Sequence, residues 1–148
     1  MNVKKLIIVL VFLILAILQF FVKKDNISSY ESVTAFEKEV QVPTNVKAIL
    51  KSNCYDCHSN HTNYPWYASI GAANLFVDHH IKEGKEHLNF SEWKNYPERR
   101  QLHKLAELYE EVAEEEMPLK MYTVIHGKLT IEEKEALLKW SFKYKEEY

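Results

Sequence analysis

Glycine is scarce in this chain: Gly71, Gly84 and Gly127 are the only three in 148 residues. A turn-rich all-β fold needs many more positions that tolerate positive φ, so that class is excluded. Cysteine is scarcer still, with Cys54 and Cys57 alone, which rules out a disulfide-stapled scaffold. No acidic residue precedes Asp25, while Lys4, Lys5, Lys23 and Lys24 flank an apolar run. Setting those four aside leaves 15 basic residues against 21 acidic ones, so residues 25–148 carry about −6. A surface of that sign does not suit phosphate, and a nucleic-acid partner is not expected.

What is present is apolar and aromatic. Hydrophobic residues make up 47% and aromatic residues 13% of the chain, enough for one domain with a real core. Leu6 to Leu18 is uninterrupted hydrocarbon, and Gln19 is the only polar residue before Phe20-Phe21-Val22. The length is near the roughly 17–25 residues of a spanning helix, and no Ala-x-Ala-like cleavage site follows. Residues 1–24 are therefore expected to be an uncleaved signal anchor, a single transmembrane helix. The rest of the chain would then face the periplasm or cell exterior from a bacterial cytoplasmic membrane. Residues 25–42, polar and without a clean apolar period, are expected to be a linker, and residues 43–148 the folded domain.

Both cysteines fall in Cys54-Tyr55-Asp56-Cys57-His58. A Cys-x-x-Cys-His run is the pattern of covalent haem attachment. Residues three and four apart share a helical face, so two thiols reach the two vinyl groups on one porphyrin edge. The adjacent histidine then turns its imidazole onto the iron as proximal ligand. Val46, Ile49, Leu50, Cys54 and Cys57 recur at helical spacing behind Thr44, a candidate N-cap, which puts both thiols on a buried face. A thioredoxin-like pair would need a strand running into the first cysteine. A structural zinc site would need two further ligands, and His79-His80 match no common spacing.

The remaining helices are legible from their patterns. Residues 68–85 read as one, with Ile70, Leu75, Phe76 and Ile81 apolar and at most one of His79 and His80 facing inward. Ser91 is a candidate N-cap between Phe90 and Trp93. Residues 97–116 form a strong amphipathic helix opened by Pro97, with Leu102, Leu105, Leu108, Tyr109 and Val112 as its stripe. The last helix opens with the capping box Thr130-x-x-Glu133 and buries Ile131, Leu137, Leu138, Trp140, Ser141 and Tyr144.

Two loop segments complete a candidate site. Tyr64-Pro65-Trp66-Tyr67 supplies Tyr64, Trp66 and Tyr67 to pack one porphyrin edge. Met117-Pro118 displays a methionine outside a helix, because proline disfavours helix for the residue before it. A thioether remote in sequence from the attachment motif is what a His/Met haem needs as its distal ligand. Met121 and His126 are the alternatives for that position.

The order of apolar helix, Cys54-x-x-Cys57-His58, Met117-Pro118 and aromatic C-terminal helix resembles the class I cytochrome c layout. More narrowly, the chain is similar to a bacterial, membrane-anchored haem-binding domain family. The residues that carry this are Cys57-His58-Ser59-Asn60, Asn63-Tyr64-Pro65-Trp66-Tyr67, Leu88-Asn89-Phe90-Ser91-x-Trp93 and Met117-Pro118-Leu119-x-x-Tyr122-x-x-x-His126, over about residues 42–142. The resemblance implies an all-α, cytochrome c-like domain wrapped around one covalent haem c. The function implied is single-electron transfer with a redox partner protein that the sequence does not name. A haem enzyme or small-molecule sensor with an open sixth position, and a haemless thiol–disulfide oxidoreductase, are the alternatives. No hydrolytic constellation stands out.

Overall fold

The structure, a computed structural model, describes residues 2–148. Eight α-helices follow one another: α1 (Val3–Gln19), α2 (Thr34–Glu39), α3 (Thr44–Asn53), α4 (Tyr55–His58), α5 (Gly71–His87), α6 (Glu98–Ala113), α7 (Lys120–His126) and α8 (Ile131–Glu147). Short 3-10 turns occupy Tyr30–Val33, Trp66–Ser69 and Phe90–Asn95. Among the described residues there is no named strand, only an isolated bridge between Ile27 and His61. The all-α class expected from the glycine-poor, amphipathic sequence is the one found.

Helices α6 and α8 run antiparallel as the backbone of the domain. Lys134 pairs with Glu115 at 2.7 Å near one end, and His103 lies against Tyr148 at 4.7 Å near the other. The capping box that starts α8 is formed in full: Glu133 N–H donates to Thr130 Oγ1 (3.1 Å) and Thr130 N–H to Glu133 Oε2 (2.9 Å). Leu137, Trp140, Ser141 and Tyr144 are buried as their spacing predicts, whereas Ile131 stands exposed at the helix's open first turn. The other starts shift by a residue or two. Pro43 rather than Thr44 precedes α3, Pro97 precedes α6, and Asn89 rather than Ser91 caps the Phe90–Asn95 turn by accepting from Ser91 N–H at 3.0 Å.

The expected membrane-spanning helix is corrected. Among the described residues no helix is long and apolar enough to cross a membrane. The 17 residues of α1 rise about 26 Å, short of the roughly 30 Å of bilayer hydrocarbon. The reason lies at its C-terminal end. Gln19 is bound into the domain, its Nε2 donating to Ser69 O (2.7 Å) and its Oε1 accepting from Gly71 N–H (3.0 Å). Phe20, Phe21 and Val22, which extend the apolar run in sequence, therefore leave the helix. The placement in a bacterial membrane, and the membrane as partner, lose their basis with the span. A Cβ at position 71 would lie 2.4 Å from the Leu18 carbonyl, so this junction closes only with glycine.

The segment expected as a linker is part of the core. Val33, Phe36 and Val42 are buried, with the Phe36 ring 4.5 Å from Phe90 and 4.9 Å from Trp93. Its apolar residues show no single period because a 3-10 turn and one short helix divide them. Together with Val46, Ile49 and Leu50 of α3, Leu105 and Val112 of α6, and Leu137 of α8, they form one contiguous core.

Candidate haem site

The attachment motif does not continue α3. The chain breaks at Cys54 (φ −123°, ψ −45°), which caps α3 and begins α4. Its carbonyl accepts from Cys57 N–H (3.2 Å) and His58 N–H (2.9 Å), closing a single tight turn. The break sends Tyr55 into the core, against Phe90 at 5.2 Å and Tyr30 at 5.8 Å. Both cysteines remain free and partly buried. Burial pushes the Cys54 thiol up to about 12, with the neighbouring Cys57 adding to it, and burial and then Asp56 push Cys57 up to about 11. A dithiol poised to attack disulfides is expected to show the opposite shift.

His58 is held in one tautomer. Its Nδ1 lies 3.0 Å from Leu88 O, and because a carbonyl only accepts, Nδ1 carries the proton. Burial lowers the His58 pKa below its ordinary 6.5, against the raising effect of the carbonyls of Leu88 and Gly84. A neutral imidazole with Nδ1–H engaged presents Nε2 as a metal donor.

Two cavities open in front of it and a third adjoins them. One of about 210 Å³ is lined by Cys54, His58, His87, Lys104 and Met117. One of about 250 Å³ is lined by His58, Met117, Cys57, His80 and Tyr122. The third, about 260 Å³ and mainly apolar, is lined by Cys57, Tyr67, Phe76, His80, Tyr122 and His126. The first two share His58, His87 and Met117, and the third adjoins the second at Cys57, His80, Leu119 and Tyr122; together they outline a slot with Cys54 and Cys57 on its lining beside His58 and Met117. Among the described residues no three of His, Cys, Asp and Glu are grouped to hold a metal ion on their own. One imidazole and one thioether on a shared lining, beside two thiols, are donors that suit a porphyrin iron. The residues present therefore fit haem.

The other candidates separate clearly. Tyr67 reaches the slot, its hydroxyl 2.7 Å from His126 Nε2, and the His126 ring stacks on Tyr122 at 4.3 Å. Met121 also lines the third cavity while being largely exposed. Tyr64 and Trp66 line none of the three cavities. Tyr64 Oη accepts from Asn26 N–H (3.2 Å), and Trp66 is 79% exposed, edge-on to Tyr67. On α5 His80 faces the slot, its Nδ1 bonded to Phe76 O (2.8 Å), while His79 points out to Glu83 (3.3 Å).

Sequence reasoning passed over two features of this site. A Cβ on Gly84 would lie 2.8 Å from Cys57 O, so glycine is what lets α5 close over the attachment turn. The second is the polar clasp of Asn60, Asn89 and Ser91 behind His58, whose sequence signal was an Asx turn, an asparagine bonding two residues on.

Neither a curated protein nor a solved structure matches the chain. A family model does, the haem-binding domain, over residues 13–143. That match spans α2 through most of α8 and includes every residue lining the slot, and the chain belongs to the haem-binding domain family.

Proposed function

We propose that this haem-binding domain is a single-haem, c-type electron carrier with a class I cytochrome c-like ligand arrangement. Cys54 and Cys57 are the attachment thiols, His58 the proximal ligand and Met117 the distal one. The carrying observation is the shared slot: His58, oriented by Leu88 O, and Met117 line the same two cavities, flanked by the two thiols. Attachment needs no oxidant, since each S–H adds across a vinyl C=C, sulfur taking one carbon and hydrogen the other. Haem bound there supplies a one-electron Fe(III)/Fe(II) couple. The chain's own work is to donate from His58 Nε2 and Met117 Sδ, and to exclude water with Leu88, Phe90 and Val112. It also leaves part of the slot open to a redox partner protein.

A pyridine haemochrome spectrum of protein matured with c-type ligation machinery is expected to show two thioether links, and a noncovalent b-type signal overturns attachment. Met117→Ala is expected to abolish the near-infrared band of a methionine–iron(III) bond. Survival of that band moves the ligand to Met121. The enzyme or sensor reading draws on the apolar third cavity with its Tyr67–His126 pair. Carbon monoxide binding to the unmodified ferrous protein would favour it over the carrier.

A further inference from the structure

We propose that the side-chain pair Asn60–Asn89 is a positioning clamp that sets the hydrogen bond from His58 to Leu88 O and thereby tunes the potential of an iron held by His58. The inference rests on the reading of His58 as an axial ligand. His58 and Leu88 lie 30 residues apart on different segments; α5 ties Leu88 only through its N–H, which donates to Gly84 O (2.9 Å), while the residue itself is extended (φ −148°, ψ 121°) at the helix end.

The fixing comes from the next residue. Asn89 N–H donates to Tyr96 Oη (2.9 Å), its Oδ1 accepts from Ser91 N–H (3.0 Å), and its Nδ2 donates to Asn60 Oδ1 (2.9 Å). Asn60, two residues past His58, also donates from its N–H to Ser91 Oγ (2.9 Å) and from Nδ2 to Glu92 Oε1 (3.0 Å). The Cys54–His58 turn and the segment that starts at Leu88 are thus joined by four links: His58 to Leu88, Asn60 to Asn89, Asn60 to Ser91, and Asn60 to Glu92. Asn89 is buried, where a hydrogen bond between neutral amides is firmer than in water. Phe90 meets the His58 ring only edge-on at 6.5 Å. Apolar packing of that kind is too permissive to set a hydrogen-bond length, so the amide pair does.

The direction of the effect follows from the donor. A short Nδ1–H···O bond pushes electron density toward Nε2 and favours Fe(III). Loosening the clamp lengthens that bond and favours Fe(II).

The test uses the haem-loaded full chain and two readouts, the reduction potential and the exchange rate of the His58 Nδ1 proton by NMR of the ferrous form. Asn60→Ala is expected to raise the Fe(II)/Fe(III) ratio at fixed poise about threefold, about 28 mV at 59 mV per decade, and to speed exchange of that proton. Asn60→Asp combined with Glu92→Gln keeps the acceptor for Asn89 and the net charge, and is expected to stay at the native potential and exchange rate. Should Asn60→Ala fail to load, Asn89→Asp, which keeps the acceptor for Ser91 but loses the donor to Asn60, is read in its place. Native potential and exchange in the single variant overturn the clamp while leaving the ligand in place. Absence of an iron-bound imidazole proton in the unmodified protein overturns the ligand reading instead.

Discussion

The wall of the slot that carries His58 is tied down by a network of side-chain and backbone hydrogen bonds, whereas the segment that follows Met117 is held at two. Behind His58, Leu88, Asn60, Asn89, Ser91 and Tyr96 are linked by bonds of 2.9–3.0 Å, and Tyr55, Phe90 and Trp93 are buried beneath them. On the other side α7 has no buried residue. Its ties to the rest are Tyr67 to His126 and Tyr122 Oη to Ser52 O (3.3 Å). Local stability follows buried contacts and internal hydrogen bonds. The His58 wall is thus preorganised by the chain, while the Met117 side has few such ties.

The largest break in that contrast comes from the floor under His58. Phe90→Ala removes a ring packed on Phe36, Tyr55 and His58 and is expected to cost about 3–5 kcal/mol of unfolding free energy, measured by urea titration. Gly84→Ala comes next. Alanine gains roughly 1 kcal/mol of helix propensity over glycine, but its Cβ would meet the Cys57 carbonyl at 2.8 Å, and overpacking against backbone costs about 1–3 kcal/mol. A net loss, with α5 displaced from Cys57, is expected; a gain in stability would show that α5 is free to move and the wall is not preorganised.

This contrast also explains what was legible in the sequence. The Cys54–His58 turn announces itself because its two cysteines and histidine stand at a fixed, recognisable spacing, and α6 and α8 announce themselves through an apolar period and a capping box. The clasp behind His58 does not, because Asn60 and Asn89 meet across 29 positions through side chains whose composition reads as loop. Residues 25–42 look like a spacer for a similar reason: Val33, Phe36 and Val42 are buried from three different local conformations, so no single period marks them. The length of α1 was misjudged because hydropathy counts residues, whereas the helix end is set by Gln19 bonding to Ser69 and Gly71.

A pH titration sharpens the contrast at smaller amplitude. His58 has its pKa lowered by burial from the ordinary 6.5, so the unfolded chain binds its proton first as pH falls. The stability tied to a neutral His58 is present above about 6.5 and is lost as pH drops from there toward the folded value, with a slope of at most about 1.4 kcal/mol per pH unit for one proton. Asp56, raised chiefly by its burial, has the opposite sign and resists the loss at more acid pH. Urea unfolding of the haem-free chain at pH 7.5 and 5.5 is expected to show the drop, and His58→Gln to flatten it. An equal slope in that variant would place the titrating group elsewhere.

The smallest effect is expected where the comparison is most exposed to failure. Tyr67→Phe removes one of the two bonds that tie α7 down, between half-buried Tyr67 and exposed His126. A neutral hydrogen bond contributes about 0.5–1.5 kcal/mol at best, and solvent competes for this one. In the haem-free chain the loss is expected to be about 0.5 kcal/mol or less by urea titration, close to that of Val124→Ser on the open face of α7. In the haem-loaded chain the same change is expected to show as carbon monoxide binding to the ferrous variant, which the unmodified carrier does not show, because a looser α7 lets the Met117 segment part from the slot more often. If Tyr67→Phe instead destabilises the haem-free chain as heavily as Phe90→Ala, α7 is built in as firmly as the His58 wall, and the difference between the two sides disappears.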